Sequence, residues 1–419
     1  MNKYKITKFS NGITLVTEKI DYVNSFSLGF WFKVGSRDET IKTNGISHLL
    51  EHMFFKGTKK RSARKISEDI ESLGGYLNAF TSKEHTCYYG RGLKQHLGKT
   101  FDVLSDMIQN SLFEEKELEK EAKVVIDELK DIEDSPEELI FDKFETIIFK
   151  GNTLRMPIIG TEKNITNFTR NDLLDYVNKK YNLHNLFIIA SGAVNEIKLI
   201  KLVEKYFNNN SNKSLISTKK QTNKRKIFVP QEPQNLFVYK DIQQAHMIIG
   251  GSTFGYKHKE RAVANLISNI LGEGSSSRLF ISLREKNGIT YQVNTFMNSF
   301  YDTSSFGVYI STNDNSLKKA KNIIEKEFEK MKTKHVTNKE LKRAKEYIKG
   351  HMLMSLESTS NRMMRMGSSM LYLNKVKDVE ESIKEIEAVT ADDILKHSRK
   401  LLDRKNLSTV IISAKNILD

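Results

Sequence analysis

Hydrophobic periodicity and turn residues repeat the same order of elements twice along this chain, and that repetition limits the fold more than any other feature. The first half opens with strands around Lys5–Phe9 and Thr14–Glu18 about the turn signal Asn11-Gly12, followed by an apolar strand at Ser25–Val34. A helix then spans roughly Gly45–Phe55, closed by Gly57, and a second covers about Ala63–Leu73 and stops at Gly74-Gly75. A strand pair lies within Tyr76–Arg91, helices follow at about Leu97–Gln109 and Glu114–Glu133, and further helices precede an apolar strand at Leu186–Val194. The second half repeats this grammar: a strand at Ala245–Thr253, helices at about Arg261–Leu271 and Ser277–Glu285, a strand pair within Tyr291–Thr312, helices at Leu317–Lys332 and Asn338–Leu356, and a last strand at Leu407–Ser413.

Between the halves, Asn208–Arg225 is polar, basic and nearly free of apolar residues, and two of the four prolines, Pro230 and Pro233, follow it. The expected fold is therefore α+β: two homologous α/β halves, each a mixed, largely antiparallel sheet with helices packed on it, related by internal duplication and arranged as a clamshell. The expected division is an N-terminal domain at 1–212, a basic linker at 213–226 and a C-terminal domain at 227–419.

The chemistry concentrates in five residues of the first half, His48-Leu49-Leu50-Glu51-His52. Residues four apart share one face of a helix, so both imidazoles can reach one metal ion. Glu51 sits beside the pair without having to be a ligand. Two histidines with an adjacent carboxylate supply what zinc-assisted hydrolysis requires, a Lewis acid and a base for the attacking water. The second half has no such motif and is expected to serve structure and substrate binding.

A three-ligand zinc site needs one more protein donor. The helix near Glu114–Glu133 has an apolar stripe at Leu118, Ala122, Val125, Leu129 and Ile132, flanked by Glu121 and Glu128, which are seven residues, or two turns, apart. A carboxylate beside a buried stripe is costly unless paired or metal-bound. On spacing alone, each glutamate is equally a solvated residue of a very charged helix.

Composition excludes other classes. The chain has 419 residues, 38% hydrophobic and 28% charged, as suits a soluble globular protein. The net charge of +15 is spread thinly, with no interleaving of aromatic and basic residues, so no nucleic-acid partner is expected. Cys87 is the only cysteine, which rules out an internal disulfide. The start, MNKYKITKFSNGITLVTEKI, lacks the apolar core of a secretory signal, and no apolar run approaches a membrane span. A cytoplasmic protein with no membrane partner is the expectation.

The stretches SHLLEHMFFKGTKKRS, LGGYLNAFTSKEHTCYYG and EKEAKVVIDELKDIEDSPEE resemble the M16 zinc peptidases, the inverzincin family that includes insulin-degrading enzymes and the mitochondrial processing peptidase. The likeness covers nearly the whole chain and is greatest to the short, processing-peptidase-like bacterial members. In that family a third ligand, a glutamate, follows the second histidine by about 76 positions, and Glu128 stands 76 after His52. The resemblance thus implies one zinc ion per chain held by His48, His52 and Glu128, with Glu51 as general base and Glu121 as a supporting carboxylate. It implies that the strand residues Asn78, Ala79, Phe80 and Thr81 take peptide by β-addition, and that Arg284 and Tyr291 bind substrate and stabilise the transition state. The implied activity is zinc-dependent endopeptidase action on short or unfolded peptides. The implied assembly is a homodimer, or a heterodimer with a non-catalytic paralogue. The alternative within the same family is a non-catalytic member that binds peptides or scaffolds a partner.

Overall fold

The computed structural model describes residues 4–207, 214–219, 225–290 and 292–416. Tyr291, and positions 213 and 220–224 of the expected linker, lie outside the described residues. The first half of the chain runs β1 (Lys5–Lys8), β2 (Thr14–Lys19), β3 (Ser25–Phe32), α1 (Ile46–Met53), α2 (Ala63–Glu71), β4 (Tyr76–Thr81), β5 (Thr86–Leu93), α3 (Leu97–Asn110), α4 (Glu115–Asp134), α5 (Pro136–Ile148), α6 (Glu162–Asn167), α7 (Arg170–Lys180), β6 (Leu186–Gly192) and α8 (Glu196–Phe207). The second runs β7 (Asn235–Tyr239), β8 (Ala245–Phe254), α9 (Arg261–Gly272), β9 (Gln292–Ser299), β10 (Thr303–Thr312), α10 (Asp314–Thr333), α11 (Asn338–Ser355), α12 (Thr359–Leu373), α13 (Val379–Ala388), α14 (Ala391–Leu401) and β11 (Ser408–Ser413), with a π-helical turn at Phe280–Glu285 before β9. No helix among the described residues is long and apolar enough to cross a membrane.

Two sheets organise the chain. The first has the order β1-β2-β6-β3-β5-β4, the second β7-β11-β8-β10-β9. Only β2/β6 and β7/β11 are parallel; every other pair is antiparallel. Apart from β1, the two orders correspond strand for strand, so the halves are homologous in topology as well as in element order.

The chain forms two compact units that are not cut at a single point. One gathers residues 1–130, 156–225 and 355–376; the other gathers 131–155, 226–354 and 377–419. Each half therefore gives up one helix: α12 packs on β3 and β6 of the first sheet, and α5 packs on β8 and β11 of the second. Nothing in the local sequence marks either helix for the other half's sheet, because the preference resides in the surface it covers.

In the first unit the period of two along β3 explains both faces of the sheet. Phe26, Leu28, Phe30 and Phe32 are fully buried, and Phe30 packs edge-on against Phe101 of α3 and tilted against Phe207 of α8. The alternate residues, Ser27, Gly29 and Trp31, meet α12. The Ser27 hydroxyl lies 2.9 Å from those of both Thr359 and Ser360. Trp31 packs with Met363, Met366 and Met370, and a Cβ at Gly367 would stand 2.5 Å from its indole. Glycine at 367 thus lets the helix reach the sheet. Arg362 of α12 also donates to buried Glu18 at 2.7 Å, and Ser191 donates to the other Glu18 oxygen at 2.9 Å. The second unit is built alike. Met247, Ile249, Phe306, Val308 and Ile310 share a core with α9, α10 and α14, while Ile248, Tyr309, Val410 and Ile412 face Ile140, Phe144 and Ile148 of α5.

Two expectations follow. Gly367→Val should destabilise the protein by roughly 1–3 kcal/mol in urea unfolding, because the new side chain overpacks Trp31. His85, ringed by Trp31, Phe80 and Tyr372, has its pKa pushed by burial, and by the Arg225 cation, from the ordinary 6.5 down to about 3. Below pH 6.5 the unfolded chain takes up a proton that the folded one refuses, so stability falls with acidification, by up to about 1.4 kcal/mol per pH unit, until the folded pKa is reached. His85→Phe should flatten that part of the stability–pH curve.

Candidate metal centre

The sequence of α1 divides its surface cleanly. Ile46, Leu49, Leu50 and Met53, spaced three and four apart, are buried, and the remaining face carries His48, Glu51 and His52. The helix begins at Gly45, whose φ is 99°, and an added Cβ there would lie 2.7 Å from the Ile159 carbonyl. Only glycine meets both demands. Glycine offers no side-chain cap, and buried Glu39 supplies it from outside the helix. Its carboxylate accepts from the Gly45 and Ser47 amides at 2.9 Å and from the Asn44 side chain at 3.0 Å. Burial raises the Glu39 pKa to about 7, and these donors oppose that shift. Gly57 closes the turn after α1 with φ of 112°, as its sequence position led us to expect.

The second helix of the site, α4, turns the stripe Leu118, Glu121 and Val125 inward, so Glu121 stands in the buried row rather than beside it. The segment ahead of α4 is tied to the segment after α1. Leu112 donates its amide to the Gly57 carbonyl, Thr58 and Ser111 form an isolated β-bridge, and the Phe54 and Phe113 rings meet edge to face at 5.2 Å. Phe113 holds a left-handed backbone, with φ of 48°, while fully buried. A non-glycine residue held there costs on the order of 1 kcal/mol or more, so the surrounding contacts must fix it.

These ties bring α4 over the histidine face of α1. The Glu128 Oε2 lies 3.8 Å from His48 Nε2 and 3.7 Å from His52 Nε2. One donor atom from each of His48, His52 and Glu128 falls within 4.8 Å of the others, and this is the one such group of His, Cys, Asp and Glu side chains found among the described residues. Two nitrogens and one oxygen at this separation suit an ion with bonds of about 2.0–2.2 Å and leave a fourth position open, the donor set of a catalytic zinc site. Glu121 accepts from His52 Nδ1 at 3.2 Å, which leaves the Nε2 lone pair directed toward Glu128.

Burial favours neutral imidazole in the same place. The His48 pKa is lowered to about 4, chiefly by desolvation and secondarily by His52, so its ligand lone pair is free at neutral pH. Glu51 lies beside the group. Desolvation raises its pKa, hydrogen bonding to Thr81 and the neighbouring His52 hold it down in part, and Glu128 raises it further. The Glu51 Oε2 is buried without a hydrogen-bond partner, a costly arrangement for a carboxylate unless a substrate or water meets it.

The other expected site residues divide by place. Asn78, Ala79, Phe80 and Thr81 all lie in β4, which pairs only with β5 and is the edge of its sheet. Thr81 touches the site through Glu51, whereas the Phe80 ring turns to Trp31 and Tyr89 beneath α12. Arg284 belongs to the second compact unit, in the π-helical turn, with its guanidinium 5.0 Å from the Phe280 ring centroid. Tyr291 lies outside the described residues. The sequence reading missed Glu39, which stands six residues ahead of Gly45, too far for a regular cap. It also missed Lys56, four residues after His52, whose ammonium lies 2.6 Å from Glu121 Oε1.

The geometry is that of a His-His-Glu group able to hold one metal ion, built on an inverted histidine motif. Comparison with known proteins agrees. Residues 14–162 match the family model described as insulinase (peptidase family M16), and residues 167–348 match the one described as peptidase M16 inactive domain. A Bacillus subtilis protein named uncharacterized zinc protease YmxG is 37% identical over 93% of this chain and 94% of its own, and an uncharacterized zinc protease of Rickettsia felis is 34% identical over 97% of each. In fold, the chain is similar to a crystal structure of a protease from Helicobacter pylori, with a TM-score of 0.92 and 23% identity over 98% of this chain and 99% of that one. The chain belongs to the M16 peptidase family.

If Glu128 is the third ligand, Glu128→Gln should bind zinc at least tenfold more weakly than the unaltered protein in a chelator-competition titration, and His48→Ala should lose stoichiometric zinc. A Glu128→Gln variant that retains full affinity would remove Glu128 from the ligand set.

Proposed function

We propose that the protein is a zinc-dependent endopeptidase acting on short or unfolded peptides. The convergence of His48, His52 and Glu128 around the buried carboxylate of Glu51 is the observation that carries this reading. The names of the curated relatives support it at the level of zinc protease.

In this reading the three side chains hold zinc, which when bound polarises the scissile carbonyl and acidifies the attacking water. Glu51 takes the proton from that water as the new C–O bond forms. It then gives the proton to the departing amine as the C–N bond breaks, so the carboxylate is regenerated. Its raised pKa suits both transfers better than that of an ordinary surface glutamate. The free edge of β4 pairs with an extended peptide through main-chain hydrogen bonds, a mode that demands little of sequence but excludes a folded chain. Arg284 and Tyr291 are proposed as donors to substrate and to the developing oxyanion, as the family resemblance suggests. The same resemblance supports a pair of chains as the working assembly, whose mass in solution would be twice 48.3 kDa.

Glu51→Gln separates chemistry from binding. The variant should retain zinc at one equivalent per chain and cleave a fluorogenic peptide library at least 1,000-fold more slowly, on the order of what removal of a general base costs. Chelator should abolish cleavage by the unaltered protein and zinc should restore it. Peptide binding without zinc-dependent turnover in the unaltered protein would instead identify a non-catalytic member of the family.

A further inference from the structure

The geometry points to Lys56 as a positioning residue of the metal centre, acting on His52 through Glu121; the inference rests on the zinc-peptidase reading above. Glu121 is 8% exposed, and both of its oxygens are engaged: Oε1 meets the Lys56 ammonium at 2.6 Å and Oε2 meets His52 Nδ1 at 3.2 Å. Lys56 sits in the turn after α1, its amide donating to the Met53 carbonyl, so its backbone is fixed relative to the helix that carries His52. An ammonium, a carboxylate and an imidazole therefore form a short chain from the end of α1 through α4 and back to α1.

The consequence follows from the donor inventory. A carboxylate anchored by an ammonium accepts and does not donate, so His52 must carry its proton on Nδ1 and present a bare Nε2. With one oxygen held by Lys56, the carboxylate cannot rotate that acceptor away from the ring. His48 has no such support: its Nδ1 is buried with no hydrogen-bond partner. The task of fixing ligand tautomer and ring plane thus falls on the Lys56–Glu121–His52 chain.

Two effects of Lys56 oppose each other, and their balance is measurable. As a cation near a dication, Lys56 weakens zinc binding by direct repulsion, an effect that is modest for a group 29% exposed to water. As the anchor of Glu121, it strengthens binding by orienting a ligand, and the loss of such an orienting partner typically lowers metal affinity 10- to 100-fold. Orientation should win. Lys56→Met is therefore expected to weaken zinc binding, although it removes positive charge.

The test is a zinc titration of the full-length protein against a chromophoric chelator, for the unaltered protein and for Lys56→Met, Lys56→Arg, Glu121→Ala and the double variant Lys56→Met/Glu121→Ala. Cobalt(II) spectra of the same set report ligand geometry independently of catalysis. Expected are an approximately tenfold or greater loss for Lys56→Met, a loss of no more than about threefold for Lys56→Arg, and no further loss when Lys56→Met is added to Glu121→Ala. The cobalt band should shift in Lys56→Met. Unchanged or tighter zinc binding by Lys56→Met overturns the proposal, as does an equal loss with or without Glu121. Failure of the unaltered protein to bind zinc stoichiometrically would instead overturn the underlying reading.

Discussion

A carboxylate of α4 has to be held within about 4 Å of two imidazoles of α1, although more than 70 residues of chain separate them. Charge alone does not do this, because desolvation favours neutral His48 and a neutral imidazole attracts a carboxylate weakly. Packing does: Leu118 and Val125 seat α4, Phe113 is wedged against Phe54, and the Gly57 and Ser111 segments are joined by backbone pairing. The strained backbone of Phe113 is sustained by these contacts. Glu39 sets where α1 starts, and the fully buried Leu49, Leu50 and Met53 fix its rotation, each side chain worth roughly 1.5–3 kcal/mol of burial. The donor atoms inherit their positions from these apolar neighbours, which is why a metal group can be preformed.

Much of this could be read in the sequence, and the division is physical. The spacing of His48, Glu51 and His52 is a local helical property, and so is the apolar row opposite them. Gly12, Gly57 and Gly74 take positive φ values near the turn and helix ends where glycine was expected to be needed. The duplicated order of strands was also legible, because alternation and turn residues are local. Glu128 was different. On its helix it resembled Glu121, and only likeness to a family singled it out; in space, Glu121 is the buried partner of an imidazole and Glu128 the half-exposed one facing both.

What the sequence did not disclose depends on distant partners. Parallel pairing of β2 with β6, and of β7 with β11, joins segments far apart in the chain. Glu39 caps a helix from six residues away, through a loop that no capping pattern describes. No helix was expected at Thr359–Leu373, where α12 lies, and Trp31 fell unremarked within the expected apolar strand Ser25–Val34. Their match through Gly367 appears only when the two surfaces are placed together.

The reciprocal loan of α5 and α12 bears on how the molecule comes into being at the ribosome. The sheet that supports the helix of His48 and His52 cannot cover its tryptophan face until residue 373 has been synthesised. A nascent N-terminal half is thus a partly open layer awaiting a later segment of the chain. Separately expressed halves would each lack a strip of their own core and hold the missing strip of the other.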